Sequence, residues 1–142
     1  MQRASGILPT AEEYDIHALF VFRYQIRKFL HFSESAARGE GLEPQQHQLL
    51  LATKALEQEG PPSIRALADH LFIQHHSAVG LIDRLEERGL VKRVRDEDDR
   101  RQVIVRLTAE GERKLHRLSA VHREELRQSA PALVAALQSA LS

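Results

Sequence analysis

The feature that most limits the fold is one break in periodicity, about two-thirds of the way along the chain. Leu90–Arg95 and Gln102–Leu107 are rich in β-branched residues, and Val103, Val105 and Leu107 alternate with Ile104 and Arg106. Between the two runs lies Asp96-Glu97-Asp98-Asp99-Arg100-Arg101. Two short strands with a charged tip predict a β-hairpin. The remaining patterned segments have helical spacing. At 142 residues, 42% apolar and 28% charged, the chain has the size and composition of one globular domain.

The first nine residues read as a loose arm. Thr10 and Glu13 form a capping box, in which each side chain reaches the other's backbone N–H. Ile16, Leu19, Phe20, Ile26, Phe29 and Leu30 then carry a long helix to about Ala37, ended by Gly39 and Gly41. Pro44 opens a second helix with Leu49, Leu50, Thr53 and Leu56 on its inner face, and Gly60-Pro61-Pro62 stops it. Ser63 caps a short third helix, Ile64 to His70. A fourth runs from about Gln74 to Arg88, with Val79, Ile82 and Leu85 as its buried stripe and Gly89 at its end. After the hairpin, Thr108 caps a fifth helix bearing Leu115, Leu118, Val121 and Leu126. Pro131 opens a sixth, with Leu133, Val134, Leu137 and Leu141. The expected fold is mainly α with a small β-wing. Two helices joined by a tight turn and followed by a β-ribbon make a winged helix-turn-helix over about 43–107.

Composition removes several functions. The absence of cysteine excludes disulfides, thiolate catalysis and cysteine-ligated zinc. No run of 18 apolar residues is present, so no membrane helix is expected. Met1 to Gly6 lack the apolar core of a secretory signal, and a cytoplasmic protein is expected. Nucleophile-elbow, zincin, P-loop and dinucleotide motifs are missing, so no enzyme, catalytic residue or cofactor is expected. Of the eight histidines, His75 and His76 are adjacent and point apart, while His116 and His122 lie six apart rather than four. No metal ligands are therefore assigned. Lys plus Arg equals Asp plus Glu at 20 each, so any case for nucleic acid rests on local patterning.

That patterning lies in the helix-turn-helix and the hairpin. The first residues of a recognition helix meet base edges in the major groove, and here they are Gln74, His75, His76 and Ser77. Gln pairs with adenine N6 and N7, Ser serves any base, and His donates to guanine N7 or phosphate. Arg100 and Arg101 at a thin ribbon's tip suit the negative potential of a narrow minor groove. Asp99 is placed to hold one guanidinium by a bidentate contact. Arg65, Arg84, Arg88, Lys92, Arg93 and Arg95 are candidate phosphate contacts. A solvated helix end and a charged turn explain the same residues without DNA. A dimeric protein-interaction module and a metal-responsive regulator stay open as alternatives.

Leu81-Ile82-Asp83-Arg84-Leu85-Glu86-Glu87-Arg88-Gly89-Leu90-Val91 resembles the recognition helix and first wing strand of MarR-type transcription regulators. Asp98-Asp99-Arg100-Arg101 followed by Val103-x-Val105-x-Leu107-Thr108-x-x-Gly111 resembles their wing signature. The resemblance covers roughly residues 12–141. It implies one MarR-like domain over 1–142: a homodimer built through helices at about 10–38 and 109–142, on a pseudo-palindromic double-stranded DNA operator, more a repressor than an activator. It implies that Arg101 enters the minor groove, with Asp99 two residues before it. It implies that Asp83 pairs with the wing arginine, that Arg84 contacts phosphate and that Gln74 to Ser77 read bases. Gly80 departs from the arginine or other polar residue common there. Many relatives bind small aromatic acids or phenols, and Tyr24, Arg27, His31 and His47 are the candidates for such an organic-anion effector.

Overall fold

The computed structural model describes residues 6–8 and 10–142. Most of the arm expected over the first nine residues lies outside these, and Gly6, Ile7 and Leu8 carry no regular structure. The elements are α1 (Ala11–Gly39), α2 (Pro44–Leu56), a 3-10 turn (Glu57–Glu59), α3 (Ile64–Leu71), α4 (His75–Glu87), β1 (Val91–Arg95), β2 (Val103–Leu107) and α5 (Ala109–Leu141). They group into two compact units, residues 33–122 and residues 1–32 with 123–142. No described helix is long and apolar enough to cross a membrane.

The helix starts follow the capping chemistry. Thr10 N–H donates to Glu13 Oε2 at 2.8 Å, and Glu13 N–H donates to Thr10 Oγ1 at 3.2 Å. Ser63 Oγ accepts from Ala66 N–H at 3.1 Å. Pro44 is the first residue of α2, and Glu43 N–H donates to Gln46 Oε1 at 2.9 Å. These bonds satisfy donors that a helix leaves open in its first turn.

The unit of residues 33–122 contains the core. Leu49 and Leu50 of α2, Leu67 of α3, Leu81, Ile82 and Leu85 of α4, Leu90, Val91, Val105 and Leu107 around the hairpin, and Leu115 and Leu118 of α5 form one buried cluster. Each such side chain stabilises the fold by roughly 1.5–3 kcal/mol over its exposed state. The buried stripe of α4 is Ala78, Leu81, Ile82 and Leu85, with the expected Val79 only half-buried. β1 and β2 pair antiparallel with Val91 opposite Leu107. β2 is also held on its other edge, where Ser63 bridges Ile104 and Val105 N–H donates to the Pro62 carbonyl at 2.9 Å.

In the unit of residues 1–32 and 123–142, Ala18 and Ala136 are buried. Ile16 (69% exposed), Leu19, Phe20 (59%), Leu30, Val134, Leu137 and Leu141 remain open.

One expectation fails. Residues 109–141 form a single 33-residue helix with Pro131 inside it, not two helices divided near Pro131. Proline removes the hydrogen bond to the carbonyl four residues back, here that of Arg127. Both residues are exposed, so water can take that carbonyl. The flanking Ala132, Leu133, Ala135, Ala136 and Leu137 have high helix propensity and keep the helix going.

The junction of the hairpin with α5 is tight. Thr108 Oγ1 donates to the Gly89 carbonyl at 2.6 Å, Thr108 N–H to the Leu90 carbonyl at 3.1 Å, and Gly111 N–H to Thr108 Oγ1 at 3.1 Å. A Cβ on Gly111 would lie 2.0 Å from the Leu90 carbonyl oxygen. Gly111→Ala is therefore expected to cost roughly 3 kcal/mol through overpacking against backbone. Gly80, within α4, has only Arg84 Nη2 near its Cβ position, at 3.8 Å. Gly80→Ala should raise stability by up to about 1 kcal/mol. Thermal or urea denaturation of both variants reads the opposite signs.

Candidate nucleic-acid interface

α3, its turn and α4 present one polar edge. Gln74 is the N-cap of α4 with extended backbone (φ −72°, ψ 153°), and its side chain makes no capping hydrogen bond. His75, His76 and Ser77 form the exposed first turn, which contains no acidic residue. The positive end of the helix dipole thus has no carboxylate within its own first turn, a setting that favours an anion. Arg65 of α3 and His75 of α4 line one open depression of about 600 Å³ with Ala68, Asp69 and Ile73. Arg84 is exposed. Arg88 donates to Gln46 Oε1 at 3.2 Å.

The ribbon tip is built by its own acids. Asp96 Oδ1 accepts from Asp98 N–H at 3.3 Å, and Asp99 Oδ1 accepts from Arg101 N–H at 3.1 Å. The backbone closes with Asp96 N–H to the Gln102 carbonyl and Gln102 N–H to the Asp99 carbonyl, each 2.9 Å. Arg95 Nη1 donates to the Arg100 carbonyl at 3.0 Å, so this guanidinium braces the tip. Asp99 meets Arg101 through one contact, Nε to Oδ1 at 3.6 Å, rather than the bidentate fork expected. The Arg101 side chain is 95% exposed and extends from a tip whose backbone is fixed. Arg100 is exposed beside it.

Asp83 has a different partner from the one the resemblance implies. Its Oδ1 takes Arg93 Nη2 at 2.5 Å, and the same Nη2 reaches Glu86 Oε1 at 3.0 Å. Glu86 Oε2 also accepts the Arg93 N–H at 2.8 Å. Asp83 and Glu86 are three apart and share the α4 face that meets β1, where Arg93 stands. Arg101 is at the far end of the ribbon. Arg93, one of the candidate phosphate contacts in the sequence, is here engaged as a clamp between α4 and the wing. The Arg93 N–H, and then its guanidinium, hold the Glu86 carboxyl below the usual carboxylate range. Glu86 was missed in the sequence, although its spacing from Asp83 and a basic residue in the next strand were both visible.

The effector candidates belong to both units. Tyr24, Arg27 and His31 are exposed on α1. His47 belongs to the other unit and is 4% exposed. Its ring packs on His122 with centroids 5.0 Å apart, and its Nδ1 is buried without a hydrogen-bond partner. His122 Nδ1 lies 2.7 Å from the Leu118 carbonyl, and Nε2 lies 2.7 Å from Ser33 Oγ. Among the described residues no three His, Asp or Glu side chains gather as a metal-ligand set.

An exposed polar helix start beside an arginine-tipped ribbon clamped to the same helix defines a winged helix-turn-helix protein. Comparison with known proteins takes the assignment further. The MarR family profile matches residues 40–102. The chain is 36% identical over 94 residues to the transcriptional activatory protein BadR of Rhodopseudomonas palustris, a match covering 66% of this chain and 54% of BadR. It spans about half the length of the curated relatives it matches. CouR from Rhodococcus jostii, solved with p-coumaroyl-CoA, superposes with a TM-score of 0.67 at 28% identity, covering 77% of this chain and 75% of CouR. A MepR mutant from S. aureus, solved with an oligodeoxyribonucleotide, has the same fold, with a TM-score of 0.67 at 19% identity over 87% of this chain and 96% of MepR. Over residues 40–102 the chain is thus similar to the MarR family, and its fold is that of solved MarR family regulators.

Burial, and then the neighbouring His122, lower the pKa of His47 below its ordinary value of about 6.5. The folded state therefore binds fewer protons at this site than the unfolded state. Stability from His47 is complete above about pH 6.5 and is lost as the pH falls below it. Thermal midpoints measured from pH 7.5 to 5.0 should fall in the wild type. His47→Phe should flatten that fall, and an unchanged slope would refute the assignment.

Proposed function

We propose that the chain is a sequence-specific, double-stranded-DNA-binding transcriptional regulator of the cytoplasm that acts as a homodimer. The observation that carries this reading is the combination of an acid-free, exposed α4 start with a braced ribbon bearing Arg100 and Arg101. Gln74, His75, His76 and Ser77 would read bases. Arg65, Arg84 and Arg95 would contact phosphate. Arg101, with Arg100, would enter the minor groove, directed by Asp99. Asp83 acts through Arg93 by fixing the ribbon to α4.

The open apolar residues of α1 and the end of α5 support dimerisation, since an isolated chain would expose Ile16, Phe20, Val134 and Leu137 to water. The single MarR-like domain would then consist of dimer helices at about 10–38 and 109–142 and a DNA-binding lobe at about 43–107. Two lobes would engage a pseudo-palindromic operator with half-sites about one helical turn apart. We read the protein as a repressor released by a small aromatic or organic-anion effector, with Tyr24, Arg27, His31 and His47 as its contacts. The p-coumaroyl-CoA bound to CouR is a relative's ligand of that class. The name of BadR describes an activator, so a promoter-reporter assay must establish the sign of regulation.

Fluorescence anisotropy on the DNA upstream of the chain's own gene, with scrambled duplex as competitor and a salt series, tests the reading. Tight, competitor-resistant, salt-sensitive binding is expected. Arg101→Ala should weaken binding to all duplexes and reduce the slope of log K against log salt by about one. Arg93→Ala should weaken binding by loosening the ribbon while leaving that slope unchanged. Equal weak binding to operator and scrambled DNA would defeat the claim of specificity.

A further inference from the structure

Helices α1, α3 and α4 end in the same hydrogen-bonded turn. In each, one residue adopts left-handed backbone and the next N–H reaches back five residues. Leu42 N–H donates to the Ala37 carbonyl at 2.9 Å, Ile73 N–H to Ala68 at 3.1 Å, and Leu90 N–H to Leu85 at 2.9 Å. This geometry favours glycine, which has no Cβ to crowd the carbonyl. Gly41 (φ 77°) serves in α1 and Gly89 (φ 72°) in α4. In α3 the residue is Phe72, at φ 55° and ψ 41°, the one non-glycine residue with positive φ among those described.

Phe72 carries a second cost. It is 95% exposed, so almost none of its ring rests on the folded chain. An aromatic ring in water gains nothing from burial, and its Cβ strains the turn. Among the described residues nothing offsets either cost, although two equivalent turns use glycine. Strain held without internal compensation points to a role outside the chain. The position indicates where that role lies. Phe72 stands two residues before Gln74, the N-cap that opens the Gln74–Ser77 segment.

We infer that Phe72 is a specificity-determining residue that packs its ring against the 5-methyl group of a thymine at the edge of each half-site. This rests on the DNA-binding reading above. A phenyl ring has no donor or charge for a phosphate or a polar base edge. The thymine methyl is the apolar group that base pairs present in the major groove, and Phe is among the side chains that suit it. Phe72 thereby adds an apolar contact to a reading edge otherwise made of Gln, His and Ser.

The experiment uses the full chain and a duplex that the wild type selects from a randomised library. Each thymine is replaced in turn by deoxyuridine, which removes only the methyl group. Wild type, Phe72→Gly and Phe72→Leu are compared by anisotropy and thermal denaturation. Phe72→Gly should melt at or above the wild-type temperature. Wild-type affinity should fall about fourfold, the loss expected for one buried methyl-sized group, when one particular thymine per half-site is replaced. Phe72→Gly should bind the unmodified duplex weaker by a similar factor and ignore the replacement, and Phe72→Leu should retain part of the sensitivity. Three results would overturn the inference while leaving DNA binding intact: a melting temperature for Phe72→Gly several degrees below wild type, an equal deoxyuridine response in wild type and Phe72→Gly, or a uniform loss of affinity with no thymine dependence. If the wild type selects no duplex, the DNA-binding reading fails and this inference falls with it.

Discussion

The backbone around Leu90 is the constraint on which the working surface depends. Its side chain is buried in the core, and its N–H closes the end of α4 on Leu85. Its carbonyl accepts the Thr108 N–H and leaves no room for a side chain at Gly111. One residue thus connects the end of α4, the first ribbon strand and the start of α5. The angle at which the ribbon leaves α4 is set there by backbone hydrogen bonds rather than by mobile side chains. Arg93 fixes the same angle again further along, through Asp83 and Glu86.

A chain with no net charge can still present a cationic surface if its acids are used internally. Asp96 and Asp99 accept backbone N–H groups in the tip, and Asp83 and Glu86 take Arg93. Glu57 and Glu112 take Lys54, and Glu57 also lies 3.8 Å from Arg106. Partly exposed ion pairs of this kind contribute little stability, typically below about 1 kcal/mol each. Their effect here is to engage these particular carboxylates with donors of the chain, while Arg84, Arg100 and Arg101 are exposed together with Glu97 and Asp98.

Legibility in the sequence follows the range of each interaction. Capping at Thr10, Ser63 and Pro44 acts over three or four residues, and so does the end of α4 at Gly89. All were readable from local spacing, as was the alternation that defines β1 and β2. The unbroken α5 was not, because proline's penalty depends on whether the carbonyl of Arg127 can reach water, which is a property of the folded surface. The partner of Asp83 was misassigned for a related reason. The helix face was readable, but which arginine meets it depends on the register and length of the ribbon. The contact of His47 with His122 joins residues far apart in the chain, and no periodicity announces it. The residues proposed to meet DNA were readable as polar and basic types at expected offsets, whereas the bracing by Arg95 and the clamp by Arg93 required the fold.

The ribbon's two edges differ, and the difference bears on self-association. A free strand edge is a template on which a second copy can pair and nucleate aggregation. β2 is closed on its outer side by Pro62 and Ser63. Among the described residues β1 has no such neighbouring segment, but the N–H of Arg93, directed away from β2, is already donated to Glu86. The same edge carries Lys92, Arg93 and Arg95 within four residues. An incoming strand would have to displace a charge-assisted hydrogen bond and align with a row of like charges. Residues that brace the ribbon against α4 therefore also keep an exposed two-stranded sheet from pairing with a second copy.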